Sequence, residues 1–83
     1  MGMRREQVLA VVRDKAVELL DVAPEAVEET TSFADDLGLD SLSLVEWTLV
    51  LEDTFDVELP EEEVTAVATI GGLVDLVLRQ KQL

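Results

Sequence analysis

Ser41 is the residue of this chain whose possible chemistry is easiest to define. It follows a Gly-Leu-Asp run, where a long polar stretch gives way to an apolar periodic one. A helix that begins here directs unpaired backbone N–H groups and the positive end of its dipole towards the serine, a setting that suits a phosphate ester. The same residues suit a simple N-cap at Ser41 or Asp40, and Ser43 with Glu46 spells a capping box two residues later. The residues alone leave both interpretations and the helix start open.

The composition lacks the side chains on which most enzymes rely. The chain has no His, Cys or Tyr, so the commonest general bases, the thiol nucleophiles and the phenols are missing. No basic residue lies between Lys15 and Arg79, so no cation stands near a central hydroxyl in the sequence. The carboxylates fall at loop and helix-start positions, where we expect them to be solvated. Catalytic carboxylate pairs instead need burial, which separates the pKa values of the two groups. We therefore expect no autonomous catalysis.

The many carboxylates raise the question of a metal site. A calcium loop that began at Asp36 would need acids at its third and fifth positions, glycine at the sixth and glutamate at the twelfth. The chain instead has Gly38, Ser41 and Trp47 at the third, sixth and twelfth positions. A zinc site without Cys or His would need carboxylates alone. The sequence predicts no metal site.

The charge is strongly acidic and unevenly distributed. The chain has 19 acidic and 6 basic residues and a formal net charge of −13. Every acidic residue except Glu6 and Asp14 lies between Lys15 and Arg79, where no basic residue occurs. Such a surface disfavours nucleic acids and anionic membranes as partners and favours a basic protein. The same numbers of acidic and basic residues also fit an acidic surface that has no role in recognition.

The length of the chain limits how many domains it can form. At 83 residues it is expected to form one domain over residues 1–83, and without Cys it has no disulfide. Its apolar runs are too short to span a bilayer, and no signal peptide precedes the amphipathic start. We expect a monomeric cytoplasmic protein.

The first helix is predicted from about Arg4 to Leu20. Its apolar residues recur at three- and four-residue steps: Leu9, Val12, Ala16, Leu19 and Leu20. A long connection over residues 21–40 follows, in which Pro24 could start a single helical turn. Connections of this length are often functional. Three apolar residues are expected to hold it against the core: Phe33, Leu37 and Leu39.

The second helix is predicted from near Ser41 to about Phe55. One face is assigned to the core: Leu44, Trp47, Thr48, Leu51 and Phe55. The opposite face carries Leu42, Val45, Glu46, Leu49 and Asp53. This second face is more apolar than a solvated face should be. Either the helix packs on two sides, or the face is a docking surface.

Two further helices are predicted after a turn. Pro60 and the glutamates after it suit the start of a short helix that reaches about Val67. Thr69 is a plausible N-cap for a last helix, where Arg79 and Lys81 suit the negative end of the dipole. No segment has strand alternation. The predicted fold is all-α, a small antiparallel four-helix bundle of three longer helices and one short, with a long loop between helices one and two.

The residues around Ser41 resemble the 4′-phosphopantetheine attachment motif of acyl carrier proteins. They read DDLGLDSL over residues 35–42. The segment 51–60, LEDTFDVELP, is similar to the end of the family's second helix and the loop after it. Residues 69–74, TIGGLV, look like the start of its last helix. The resemblance covers nearly the whole chain, and element order, length and acidity agree with it.

This resemblance implies a carrier and not an enzyme. A phosphopantetheinyl transferase would move 4′-phosphopantetheine from coenzyme A onto the Ser41 hydroxyl, and the thiol of that arm would hold acyl intermediates as thioesters. Asp40 would present Ser41 and help to recruit the transferase and its magnesium. The other partners would be acyl-loading enzymes, ketosynthases and further acyl-processing enzymes with basic docking patches. Leu42, Val45, Glu46 and Leu49 match the family's partner-facing positions, and Glu46 with Asp53 is expected to steer basic partners.

The chain departs from bacterial fatty-acid carriers in helix two, where residues 47–51 run without a charge. Trp47 is bulky for its place and could narrow or reshape the acyl cavity. Fatty-acid, polyketide and other specialised pathways therefore all fit. Peptidyl carriers usually have glycine-rich residues in place of Leu39-Asp40, so an aminoacyl cargo is less favoured. An acidic interaction module without a prosthetic group is the alternative from another class.

Overall fold

The computed structural model describes residues 4–82, and this part of the chain is helical. The elements follow in the order α1 (Arg5–Leu20), a single 3₁₀ turn (Pro24–Ala26), α2 (Ser41–Phe55), α3 (Glu61–Ala66) and α4 (Ile70–Gln82). Within residues 4–82 the only extended pairing is an isolated bridge between Ser32 and Thr69. The predicted bundle of three longer helices and one short is confirmed, and so are both ends of α2.

Helix α1 packs mainly on α4 and less on α2. Its buried residues are Val8, Val12 and Ala16. They form a row at four-residue steps, which the partly buried Leu20 continues. Leu19 is the exception on the predicted apolar face, because it lies beside this row and is 47% exposed.

Helix α2 buries the face that was predicted for it. Leu44, Trp47, Thr48, Leu51 and Phe55 are all buried. The Trp47 ring meets the ring of Phe33, from the long connection, in an edge-to-face arrangement with centroids 6.0 Å apart. This contact ties the connection to the middle of α2.

The long connection is part of the packed fold. As predicted, Phe33 is buried, Leu37 and Leu39 pack partly buried against the core, and a helical turn forms at Pro24. Three backbone hydrogen bonds fasten the connection to the start of α4: Phe33 N–H to Ala68 O at 3.0 Å, Ile70 N–H to Thr31 O at 2.9 Å and Gly71 N–H to Glu29 O at 2.9 Å. The first N–H groups of α4 are thereby satisfied by loop carbonyls.

Arg5 joins the start of α1 to two other parts of the chain. Its Nε donates to Glu29 Oε1 in the connection at 2.8 Å, and its Nη2 donates to the Gly71 carbonyl oxygen at 3.2 Å. The guanidinium also pairs with the Asp75 carboxylate of α4. These bonds hold the beginning of α1, the connection and α4 together.

The last two helices begin as predicted to within a residue. Pro60 is the N-cap of α3 and not a residue of its first turn, since its ψ of 138° is not helical. Helix α3 ends at Ala66, with Val64 as its buried residue. The Thr69 hydroxyl accepts a hydrogen bond from Gly72 N–H at 3.2 Å, as expected of an N-cap.

Candidate functional site

Asp40 and Ser41 open α2 side by side, with different roles. Asp40 is the N-cap, and its Oδ1 accepts a hydrogen bond from the Ser43 backbone N–H at 2.8 Å. Ser41 is the first helical residue and is exposed. The alternative in which a capping box starts the helix at Ser43 is wrong, because Ser43 already lies in the first turn. The serine hydroxyl is thus accessible and is not needed to cap the helix.

The charge of Asp40 is stabilised by the helix that it caps. The Ser43 backbone N–H, which donates to the carboxylate, holds the pKa of Asp40 below its ordinary value of 3.8. Asp40 therefore remains ionised at neutral pH and places one negative charge directly before Ser41. A cationic group of a partner, or a cation that a partner holds, is attracted to this position.

Gly38 shapes the backbone that leads into Asp40. Its φ is +66°, in the left-handed region that glycine adopts without a steric penalty. The chain turns back there, and Leu39 N–H donates to Phe33 O at 2.9 Å. The turn fixes the approach of the connection to α2 and so the position of Ser41.

Two cavities adjoin Ser41. The larger, which we call the Ser41 pocket, has a volume of about 370 Å³. Its walls come from the connection, α2 and the segment after α3, and include Phe33, Leu39, Ser41, Leu44, Val67 and Ala68. A smaller cavity of about 280 Å³ lies between Ser41, Leu42, Val45 and Glu61. A flexible group attached to the serine would have mostly apolar space beside it.

A third cavity lies on the other side of α2. We call it the α1–α2 groove, and it has a volume of about 260 Å³. It is lined by Leu19, Leu20, Ser43, Glu46, Trp47 and Val50. This groove was not predicted from the sequence, because Leu19 was placed on one apolar face with Val12 and Ala16. The four-residue row of α1, which excludes Leu19, is the signal that could have revealed it.

The predicted docking face is on the outside of the bundle. Leu42 is 68% exposed and Leu49 56% exposed, while Val45 is half-buried. Glu46 and Asp53 are exposed on the same helix. The alternative that α2 packs on two sides is wrong for Leu42 and Leu49. An apolar strip with acids beside it is therefore open to a partner.

The described residues form neither a metal cluster nor a membrane span. No three His, Cys, Asp or Glu residues within 4–82 stand close enough together to hold a metal ion. None of the helices in that range is both long and apolar enough to cross a bilayer.

The chain is similar to a well-populated group of known proteins. Residues 10–77 match the family described as the phosphopantetheine attachment site. An acyl carrier protein from Sulfurovum sp. is 41% identical over 66 residues, which cover 80% of this chain and 88% of that protein. One from Wolinella succinogenes is 44% identical over 63 residues, which cover 76% of this chain and 83% of that protein.

Solved structures with the same arrangement of helices come from the same group. The acyl carrier protein of Enterococcus faecalis has a TM-score of 0.77 and 33% identity, and the match covers 94% of this chain and 99% of that one. The acyl carrier protein of Thermotoga maritima has a TM-score of 0.83 and 26% identity, and the match covers 96% of this chain and 93% of that one.

Proposed function

Because the chain belongs to the acyl carrier protein family, we propose that Ser41 is the residue that carries its 4′-phosphopantetheine arm. As a family member the protein is a carrier and not an enzyme, and it interacts with a phosphopantetheinyl transferase and with acyl-processing enzymes. The observation that carries the proposal is the exposed hydroxyl of Ser41 at the first position of α2, directly after the ionised N-cap Asp40. The arm supplies a thiol that holds acyl groups as thioesters.

The residues around Ser41 fit such a group. The start of α2 favours a phosphate through the positive end of the helix dipole. Asp40 occupies the capping position, so modification of Ser41 leaves the cap intact. Its negative charge attracts the transferase and the magnesium that the transferase holds. The Ser41 pocket and the smaller cavity beside Leu42 offer apolar space for cargo.

The open face of α2 is the proposed docking site for partner enzymes. Leu42, Val45 and Leu49 would supply apolar contact area, and Glu46 with Asp53 would steer partners that carry basic patches, such as loading enzymes and ketosynthases. The cargo would belong to fatty-acid, polyketide or related specialised biosynthesis. An aminoacyl cargo is less favoured.

The organisation of the protein forms part of the same proposal. We infer one acyl carrier domain over residues 1–83 that acts as a monomer in the cytoplasm. The single hydrophobic core, to which all four helices contribute, supports one domain. Light scattering coupled to size exclusion would test the monomer, and cell fractionation would test the location.

The attachment is tested by intact mass after incubation with coenzyme A, magnesium and a promiscuous phosphopantetheinyl transferase. The wild-type protein should gain one phosphopantetheine unit, and peptide mapping should locate it on Ser41. Ser41→Ala should abolish the gain without changing the helical circular dichroism, since the exposed serine does not cap α2. Ser43→Ala, a serine two residues away, is the matched control and should keep the gain.

Two outcomes would contradict the proposal. A gain that persists in Ser41→Ala would move the attachment to another residue. No gain in a folded wild-type protein would favour an acidic interaction module without the arm, for which the exposed strip at Leu42 and Leu49 would still serve as a binding face.

A further inference from the structure

The indole N–H of Trp47 is buried without a hydrogen-bond partner. Trp47 is 3% exposed, and its Nε1 is the only buried side-chain nitrogen or oxygen within residues 4–82 that lacks a partner. Buried indole N–H groups normally have an acceptor, because an unpaired one has lost its bond to water and gained nothing in return. An acceptor from outside residues 4–82 would therefore stabilise this N–H.

The nearest polar side chains of α2 do not meet this need. Ser43 and Glu46 line the α1–α2 groove together with Trp47, yet neither is bonded to its N–H. The Thr48 hydroxyl already donates to the Val45 carbonyl oxygen at 2.8 Å. Solvent does not reach Nε1. An acceptor must therefore enter the protein between its helices.

The α1–α2 groove offers a path for such an acceptor. Its walls are mainly apolar, from Leu19, Leu20 and Val50, so it suits an acyl chain better than a polar ligand. Helix α1 contacts α2 less than it contacts α4, so the α1–α2 seam has less packing to lose than the α1–α4 seam when the helices part. Ser43, at the groove, is two residues from Ser41, about 3 Å along the helix axis but on the other side of α2. A long flexible arm on Ser41 reaches the groove by passing around the start of α2.

We propose that Trp47 is a specificity-determining residue that favours acyl cargo with a keto or hydroxyl oxygen along its chain, held in the α1–α2 groove, over a saturated chain of equal length. The inference rests on the proposed arm at Ser41. An oxygenated chain carries an acceptor beyond its C1 carbonyl and can bond the indole N–H from within the groove. A saturated chain buries more apolar surface there but has no oxygen beyond C1, so it leaves the N–H unpaired. Sites that are built to bond a polar group discriminate strongly against analogues that lack it.

The first test observes the indole directly. The protein has one tryptophan, so ¹⁵N labelling gives one indole N–H signal. Three amide-linked pantetheine probes would be loaded onto Ser41: octanoyl, β-oxo-octanoyl and δ-oxo-octanoyl. At least one oxo chain should move the indole proton downfield and slow its hydrogen exchange about tenfold relative to the octanoyl form, a factor that corresponds to about 1.4 kcal/mol. Equal shifts and exchange rates for all three chains would overturn the proposal.

Methyl signals test the location of the cargo. Leu19, Leu20 and Val50 line the α1–α2 groove, whereas Val67 and Ala68 line the Ser41 pocket. The oxo chain should perturb the first set more strongly. Perturbation confined to the second set, with an unmoved indole signal, would place the cargo elsewhere and overturn the assignment.

A variant that removes only the donor provides the control. Trp47→Phe keeps an aromatic ring in the core, and circular dichroism would verify its fold. In the wild type the oxo form should melt at a higher temperature than the octanoyl form, and this difference should vanish in Trp47→Phe. A difference that survives the substitution would overturn the role of the N–H. Absence of loading, seen by mass before any of these measurements, would instead refute the attachment at Ser41.

Discussion

At the scale of single residues, the bond from Ser43 N–H to Asp40 makes the stability of the fold depend on pH. A carboxyl whose pKa is lowered by folding stabilises the protein above its unfolded pKa, and this contribution is lost as the pH falls through the lower folded value. Asp40 therefore stabilises the fold at neutral pH and loses this effect below its ordinary value of 3.8.

The comparison of Asp40 with asparagine tests this effect. Asparagine is also a good N-cap but does not titrate. We expect Asp40→Asn to melt below the wild type at pH 7, and the gap in Tm should narrow as the pH falls below 3.8. The check is a set of thermal melts of both proteins across this range. A gap that is constant with pH would show that the Asp40 charge does not stabilise α2.

Gly71 permits a close contact that alanine would prevent. A Cβ at Gly71 would lie 2.9 Å from the Glu29 carbonyl oxygen, which already accepts the Gly71 N–H. We expect Gly71→Ala to lower the free energy of unfolding by about 1–3 kcal/mol, although alanine is the better helix former. Urea denaturation would measure the change.

Gly72→Ala is the neighbouring control for Gly71. Its Cβ would lie 3.3 Å from the Val67 Cβ, a side-chain atom, so we expect it to cost less than Gly71→Ala. A Gly71→Ala protein as stable as the wild type would mean that the connection can move away from α4.

At the scale of elements, α2 was predictable because several local signals agree on it. The core face at four- and three-residue steps, the cap at Asp40 and the polar turn after Phe55 all indicate the same helix, and the structure gives Ser41–Phe55. Helix α1 was predicted less well at its last turn, because Leu19 was grouped with Leu20 on one face, whereas the row at four-residue steps includes Leu20 alone.

The site was only partly predictable for a similar reason. The motif around Ser41 is the basis on which we propose this residue as the attachment site. Whether Asp40 or Ser43 caps the helix depends on backbone geometry, and the 2.8 Å bond from Ser43 N–H decides it. The unpaired N–H of Trp47 could not be predicted, since it depends on every group packed around the ring.

The acids on the open face of α2 should control how fast partners bind. Glu46→Gln with Asp53→Asn should lower the association rate with a basic partner enzyme, on the order of tenfold at low salt, and weaken its salt dependence. The matched control is Asp14→Asn with Glu25→Gln, which removes the same charge from exposed positions outside α2.

Stopped-flow or surface binding kinetics at several salt concentrations would measure these rates. If both double variants slow association equally, total charge and not the α2 face steers the partner.

At the scale of the whole molecule, the negative charge is largely unpaired. Within residues 4–82 the ion pairs are Arg5 with Glu29, Arg5 with Asp75, and Lys15 with Glu18. Arg13 instead donates to the Val27 carbonyl oxygen at 3.0 Å. Most carboxylates of the described residues therefore have no cation nearby, and they repel one another.

Added salt should raise the stability of the protein. The molecule measures 32 × 25 × 20 Å, and at 0.1 M salt charges are screened beyond about 10 Å. We expect Tm to rise from low to moderate ionic strength, and magnesium to act at lower concentrations than sodium. Calorimetry would measure this, and a flat Tm would show that the repulsion is too weak to matter.

The three backbone bonds between the connection and α4 fasten one wall of the Ser41 pocket. This wall is fastened at Phe33, where its N–H meets the Ala68 carbonyl, and by the two bonds to the start of α4. Another part of the wall comes from Thr65 of α3, a helix of six residues that buries Val64 alone. We expect α3 to open locally more easily than the start of α4, because few of its side chains are buried. Amide exchange should accordingly be faster in residues 61–66 than at Ile70 and Gly71.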